Sequence, residues 1–124
     1  MIWPKPRRMR NEGFTLIEIL VVIAVLGLLA AIAIPQIASY RSAAIDAQMK
    51  SDLRNASVAI EAYYAKQAVL PGSLAETAGY GFQSSAGVTL SLIIVSPTAY
   101  QLTAAKSGGS QPTFTYDSVT GSIH

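Results

Sequence analysis

The chain has 124 residues, a formal charge of +2, 51% hydrophobic residues and no cysteine. That leaves room for one small domain with appendages, and none for disulfides, thiolate chemistry or a cysteine-ligated metal. Residues 1–13 hold Lys5, Arg7, Arg8 and Arg10 against Glu12, while residues 14–124 hold five basic and six acidic side chains. The basic character belongs to the N-terminal tip, so no cationic stripe marks a direct nucleic-acid site.

After the basic tip comes an apolar run. From Ile19 to Tyr40 there are 22 residues without a charge, and about 20 apolar residues cross a bilayer. Ile19–Ala38 therefore qualifies as a span, with the Lys/Arg cluster at 5–10 holding the N-terminus on the cytoplasmic side. This is an inner-membrane or export-directed chain.

Three readings fit the run. A secretory signal peptide accounts for the basic start and for Ala31-Ile32-Ala33, which has the form of a cleavage site. Its apolar region is too long, however, and Glu18 interrupts it. A plain single-span anchor accounts for length and orientation but not for Glu18. A carboxylate at the bilayer centre costs about 2.5–3.5 kcal/mol, and the helix dipole returns only about 0.3–1 kcal/mol near the N-terminus. The third reading gives Glu18 a partner.

Gly13-Phe14-Thr15-Leu16-Ile17-Glu18, followed by the apolar helix and Pro35, closely resembles the N-terminus of type IV pilins and related pseudopilins. The resemblance implies a membrane peptidase that cuts after Gly13 and methylates the new N-terminus at Phe14. Glu18 then becomes the fifth mature residue and Pro35 the twenty-second. The position before the glycine is often basic in this family and is Glu12 here. Cleavage leaves an ammonium on Phe14, which can meet the Glu18 carboxylate of a staggered neighbour and fix the register of assembly. Breaking one partner of such a pair strands a charge in a low dielectric.

Gly27 and Pro35 bracket a weak stretch of this helix. Pro35 cannot donate to the carbonyl of Ala31, and Gly27 disfavours helix by about 1 kcal/mol relative to Ala. In filaments of the family this segment can lose its helical form and extend; a simple kink at Pro35 is the other outcome. Gly27 and Ala31 also form a small-xxx-small pair that lets helices approach.

Beyond Pro35 the pattern turns amphipathic. Ile45, Met49, Leu53, Ala56, Ile60 and Tyr63 make an apolar stripe at helical period. Asp46, Lys50, Arg54, Ser57 and Glu61 make a polar one, with Asp46 and Lys50 spaced as an i,i+4 pair. The periodicity predicts one helix from Phe14 to about Ala68, ended by Pro71-Gly72. Residues 71–87, with Pro71 and the four glycines Gly72, Gly79, Gly81 and Gly87, read as a loop. Strands are predicted over 88–95, 100–104 and 113–116. Ser107-Gly108-Gly109-Ser110 turns the chain between the last two, and a tight turn at 117–121 leads to a short end.

No catalytic constellation emerges. Asp46, Asp52, Glu61, Glu76 and Asp117 are scattered and read mostly as solvated surface. The serines lack a base to activate them, no phosphate-cradling glycine loop opens a helix, and the single histidine, His124, stands alone. Pseudopilins of the resembled family often bind calcium in a C-terminal loop. The corresponding 107–117 segment has one carboxylate, too few for that cation. The aromatics Tyr63 and Tyr100 are expected to pack the head.

The expected fold is therefore α+β of the pilin type: a long N-terminal α-helix with a small C-terminal antiparallel β-sheet packed on its second half. The expected division is a leader at 1–13, removed on processing, an apolar transmembrane and filament-core half at 14–40, an amphipathic half at 41–70, and a head at 71–124. The resemblance implies a non-enzymatic type IV pilus subunit without cofactors, polymerising with itself and moving from the inner membrane to the cell surface. Its implied partners are a prepilin peptidase/methyltransferase, a cytoplasmic assembly ATPase, an inner-membrane platform and an outer-membrane secretin. The alternatives are a type II secretion pseudopilin, or a single-span periplasmic binding module that never polymerises.

Overall fold

The computed structural model describes residues 1–5 and 12–124. The arginines assigned above to membrane topology lie outside the described residues. The chain forms two compact units, Met1–Gln36 and Ile37–His124, and the division falls one residue beyond Pro35.

Helix α1 runs Leu16–Gln67, with Pro35 inside it. It begins two residues later than the periodicity predicts because Thr15 caps it. Its end comes at Ala68, which takes a left-handed conformation at φ 57° and donates its N–H to the Tyr64 carbonyl at 2.8 Å. Within the first unit, α1 is exposed on every side, as expected of a helix apolar all round whose partners lie outside the chain.

The second unit is an α+β head. A four-stranded antiparallel meander, in the order β1-β2-β3-β4, follows the chain directly. Its strands are β1 Thr89–Ser96, β2 Ala99–Ala105, β3 Thr113–Asp117 and β4 Ser122–Ile123. In β2 the even-numbered residues Tyr100, Leu102 and Ala104 are buried and their neighbours half-buried, which is the period of two that a one-sided sheet demands. These side chains, with Val88 and Phe114, close over Met49, Leu53, Ala56 and Ile60 of α1. Four of the six predicted stripe residues are fully buried, Ile45 packs against their cluster, and Tyr63 is half-buried.

Two expectations need correction. The segment read wholly as loop contains a 3-10 helix, Leu74–Tyr80, anchored by the buried Thr77 hydroxyl donating to the Leu74 carbonyl at 2.7 Å. The short end after residue 121 is a fourth strand, pairing Tyr116 with Ile123 and Asp117 with Ser122. Four of the five carboxylates lie at the surface as expected, and Asp52 is the exception. Asp52 is only 3% exposed and accepts the backbone N–H and the hydroxyl of Ser85, both at 2.8 Å.

Similar pins recur around the head. Asp46 accepts the N–H of Ser110 at 2.9 Å and also its hydroxyl, while Lys50, its expected helical partner, lies 4.5 Å above the Phe114 ring. The Ser110 bond holds the Asp46 carboxyl below the usual carboxylate range, with a smaller contribution from Lys50. Two glycines make this contact geometrically accessible. A Cβ on Gly108 would lie 3.0 Å from Ile45 Cδ1, and one on Gly109 would run into the Asp46 carboxylate. Lys106 joins Gln48 at 2.6 Å and the Ala86 carbonyl at 2.8 Å. Buried Tyr100 donates its hydroxyl to Glu61 at 3.0 Å, and burial, then Glu61, pushes that phenol up.

Candidate functional site: the N-terminal assembly segment

The segment that carries the sequence motif lies wholly in the first unit. Thr15 and Glu18 form a reciprocal cap at the start of α1. Thr15 donates its N–H to Glu18 Oε2 at 2.7 Å and its hydroxyl to the same oxygen at 2.9 Å. The Glu18 N–H returns to Thr15 Oγ1 at 3.3 Å. This is the capping box, in which a Thr-x-x-Glu spacing satisfies two helix-end donors that have no partner inside the helix. The carboxylate is thus turned back toward the N-terminal end of the helix, where Thr15 hydrogen-bonds it.

Phe14 and Glu18 come together at one end of α1, where they share a shallow apolar cleft with Ile17, Ile19, Val21 and Val22. Gly13 lies next to them, and a Cβ built on it would meet nothing within 4 Å. Phe14 is 84% exposed, so the Gly13-Phe14 bond sits in open, non-helical chain. Gly27 and Pro35 are not brought to this end. Both lie within the helix, which stays continuous through them, and the surroundings of Gly27 are also open.

Thr15 is the residue that the motif reading missed as a structural partner. Its signal was present, since Ser/Thr-x-x-Glu ahead of an apolar run marks a helix start. From Leu16 onward the apolar side chains are uncovered, with Leu20 47%, Leu29 57% and Ile37 65% exposed. This is the one helix among the described residues long and apolar enough to cross a membrane.

The prokaryotic N-terminal methylation motif matches residues 8–34. The chain is 37% identical over 103 residues to the type IV wide pilus major component PilA4 of Thermus thermophilus, covering 82% of this chain and 79% of that protein. The chain belongs to the type IV pilin family. Shorter matches of this pilin reach the type IV major pilin protein PilA of Myxococcus xanthus, 36% identical over 58 residues, and the type II secretion system core protein G of Pseudomonas aeruginosa, 40% identical over 57 residues. They cover 47% and 46% of this chain but 26% and 40% of the two relatives. As a pilin the chain is a structural pilus subunit, and these relatives are named for structures rather than for reactions.

Proposed function

We propose that this pilin is cut between Gly13 and Phe14, methylated on Phe14, and polymerised with the apolar halves of α1 bundled inside a surface filament. The observation that carries the proposal is Glu18: a carboxylate at the head of an uncovered apolar helix, next to the bond whose cleavage creates an ammonium. In the uncut chain Thr15 satisfies Glu18. After cleavage the Phe14 ammonium of a neighbouring subunit supplies a charged partner, and only one stagger brings the two together. A mismatched stagger leaves the carboxylate without its counter-charge in apolar surroundings, where the penalty is several kcal/mol. Gly27 and Pro35 mark the stretch of helix that yields first when the filament is pulled.

This reading requires a prepilin peptidase/methyltransferase, a cytoplasmic assembly ATPase, an inner-membrane platform and an outer-membrane secretin. The precursor waits in the inner membrane with its N-terminus cytoplasmic. No catalytic step belongs to it; Asp46, Asp52, Glu61, Glu76 and Asp117 are each committed to holding part of the head.

A second reading, a secretion pseudopilin, draws on the match to protein G. The pilus is favoured because the Thermus match, at 103 residues, is too long to be confined to the helix and must include the head. The test has two parts. Mass spectrometry of the mature chain should find N-methylated Phe14 as its first residue. Glu18→Ala should insert in the membrane normally yet yield no filaments; abundant filaments from that variant would sink the register role. Sheared surface filaments built mainly of this subunit separate the pilus from the pseudopilus.

A further inference from the structure

Strand β1 is an edge of the sheet. Among the described residues its only ladder is the one to β2, and no other backbone hydrogen bond involves Leu90–Val95. Soluble proteins blunt such edges with charges, prolines or a cover, because an open edge is a template for another strand. This one is left bare. Ile93, Ile94 and Val95 are 56%, 43% and 61% exposed. No proline occurs between Thr89 and Ser96, and no charged residue anywhere from 77 to 105. The one blunting device is a bulge between Ile94 and Ser96, which begins where the regular ladder ends.

We infer that β1 docks on β1 of a second copy of this chain, joining subunits of neighbouring filaments. Charge selects the occupant. Two copies of an uncharged segment meet without like-charge repulsion, and neither strands an ion on desolvation. The pairing is also self-complementary. For the two sheets to continue through the junction with inner face beside inner face, the two-fold axis must pass through a residue rather than between two. An axis at Ile93 pairs Ile93 with its own copy and Ile94 with the half-buried Leu92, both within the regular ladder. Such a two-fold contact cannot recur inside one filament, where every subunit meets the next through the same screw operation. It must join separate filaments, where many weak contacts act together.

The inference rests on the filament reading, so filament yield and lateral association are scored separately on the same sheared preparations. A chain without native cysteine permits single-cysteine mapping in the full-length, processed subunit. Cα atoms of an antiparallel pair lie about 4.5–5.5 Å apart, within the span of a disulfide. Oxidised Ile93→Cys filaments should give a covalent dimer on the order of tenfold more abundant than that from Val119→Cys, an exposed control in the turn after β3. Ser91→Cys, which faces Val95 in this register, should match the control. Ile93→Lys should leave filament number unchanged and disperse bundles into single filaments. Equal cross-linking from Ile93→Cys and Val119→Cys, cross-linking confined to dispersed single filaments, or bundles persisting in Ile93→Lys would each overturn it.

Discussion

The two halves of α1 share a backbone and differ in where their partners are. From Leu16 to Tyr40 every residue is exposed, although nearly all are apolar. From Arg41 to Gln67 one face disappears completely, with Met49, Leu53, Ala56 and Ile60 at 0% exposure. The second half finds its cover inside the chain, in the sheet. The first half finds no cover among the described residues, and on the proposed reading hydrocarbon or other copies complete it. One helix therefore serves two solvents, and substitutions in it should act on different observables depending on the half they fall in.

The sharpest way to break that comparison is a matched pair of truncations. Leu53→Ala should destabilise the head by about 2–5 kcal/mol, the usual cost of emptying a well-packed leucine site. Leu29→Ala, with the same chemistry at an exposed site, should shift head unfolding by less than about 0.5 kcal/mol. Chemical denaturation of the full chain in detergent, followed by tyrosine fluorescence, measures both. Comparable shifts would show that the halves do not separate energetically. Next in size, Asp52→Ala should cost about 1–3 kcal/mol in the same assay, because the Ser85 N–H loses its acceptor in a part-buried place.

In the first half, Gly27→Ala should strengthen α1 by roughly 1 kcal/mol, since the site is open and Ala is the better helix former. Head unfolding should not change, whereas filaments should extend less under load in optical-trap stretching. The smallest effect is one of pH. Hydrogen bonds from Ser110 to Asp46 and, chiefly, from the Val119 N–H to Asp117 hold both carboxyls below the usual range. A depressed folded pKa gives stability that is complete above the ordinary value of about 4 and fades as acid carries the pH below it. Melting curves at pH 7, 5 and 3 should fall only in the last step, and the Asp46→Asn, Asp117→Asn double variant should flatten that step.

Features that depend on short spacing were legible in the sequence. The apolar stripe from Ile45 to Ile60 follows the 3.6 period, and the buried face of the helix is where that period places it. The C-terminal end of α1 falls within one residue of expectation because Pro71-Gly72 is a local signal, whereas its start shifts by two residues because periodicity does not register the Thr15 cap. What escaped depends on distant partners or on very few residues. Nothing in the neighbourhood of Asp46 points to Ser110, 64 residues away, or near Asp52 to Ser85, 33 residues away. Strand β4 has two residues, too few for any alternation to show. Ile94 follows the inward parity of Leu90 and Leu92 yet stays 43% exposed, because an edge strand beginning to bulge leaves its cover. At the N-terminal segment the motif singles out Gly13, Phe14 and Glu18, whose roles stand as proposals; the bonds that tie Glu18 to Thr15 had a local signal in Thr-x-x-Glu that the motif reading passed over.

The strand order of the head has a kinetic side. Each strand pairs with the next one along the chain, so every ladder closes through a turn of modest length. Sheets built from neighbouring hairpins pay little loop-closure entropy before their contacts form, and low contact order goes with fast folding. On the proposed membrane-anchored reading, a head of this kind can zip up strand by strand as it emerges on the far side of the membrane. The meander is thus suited to a chain whose N-terminal half is still embedded when its C-terminal half must find its shape.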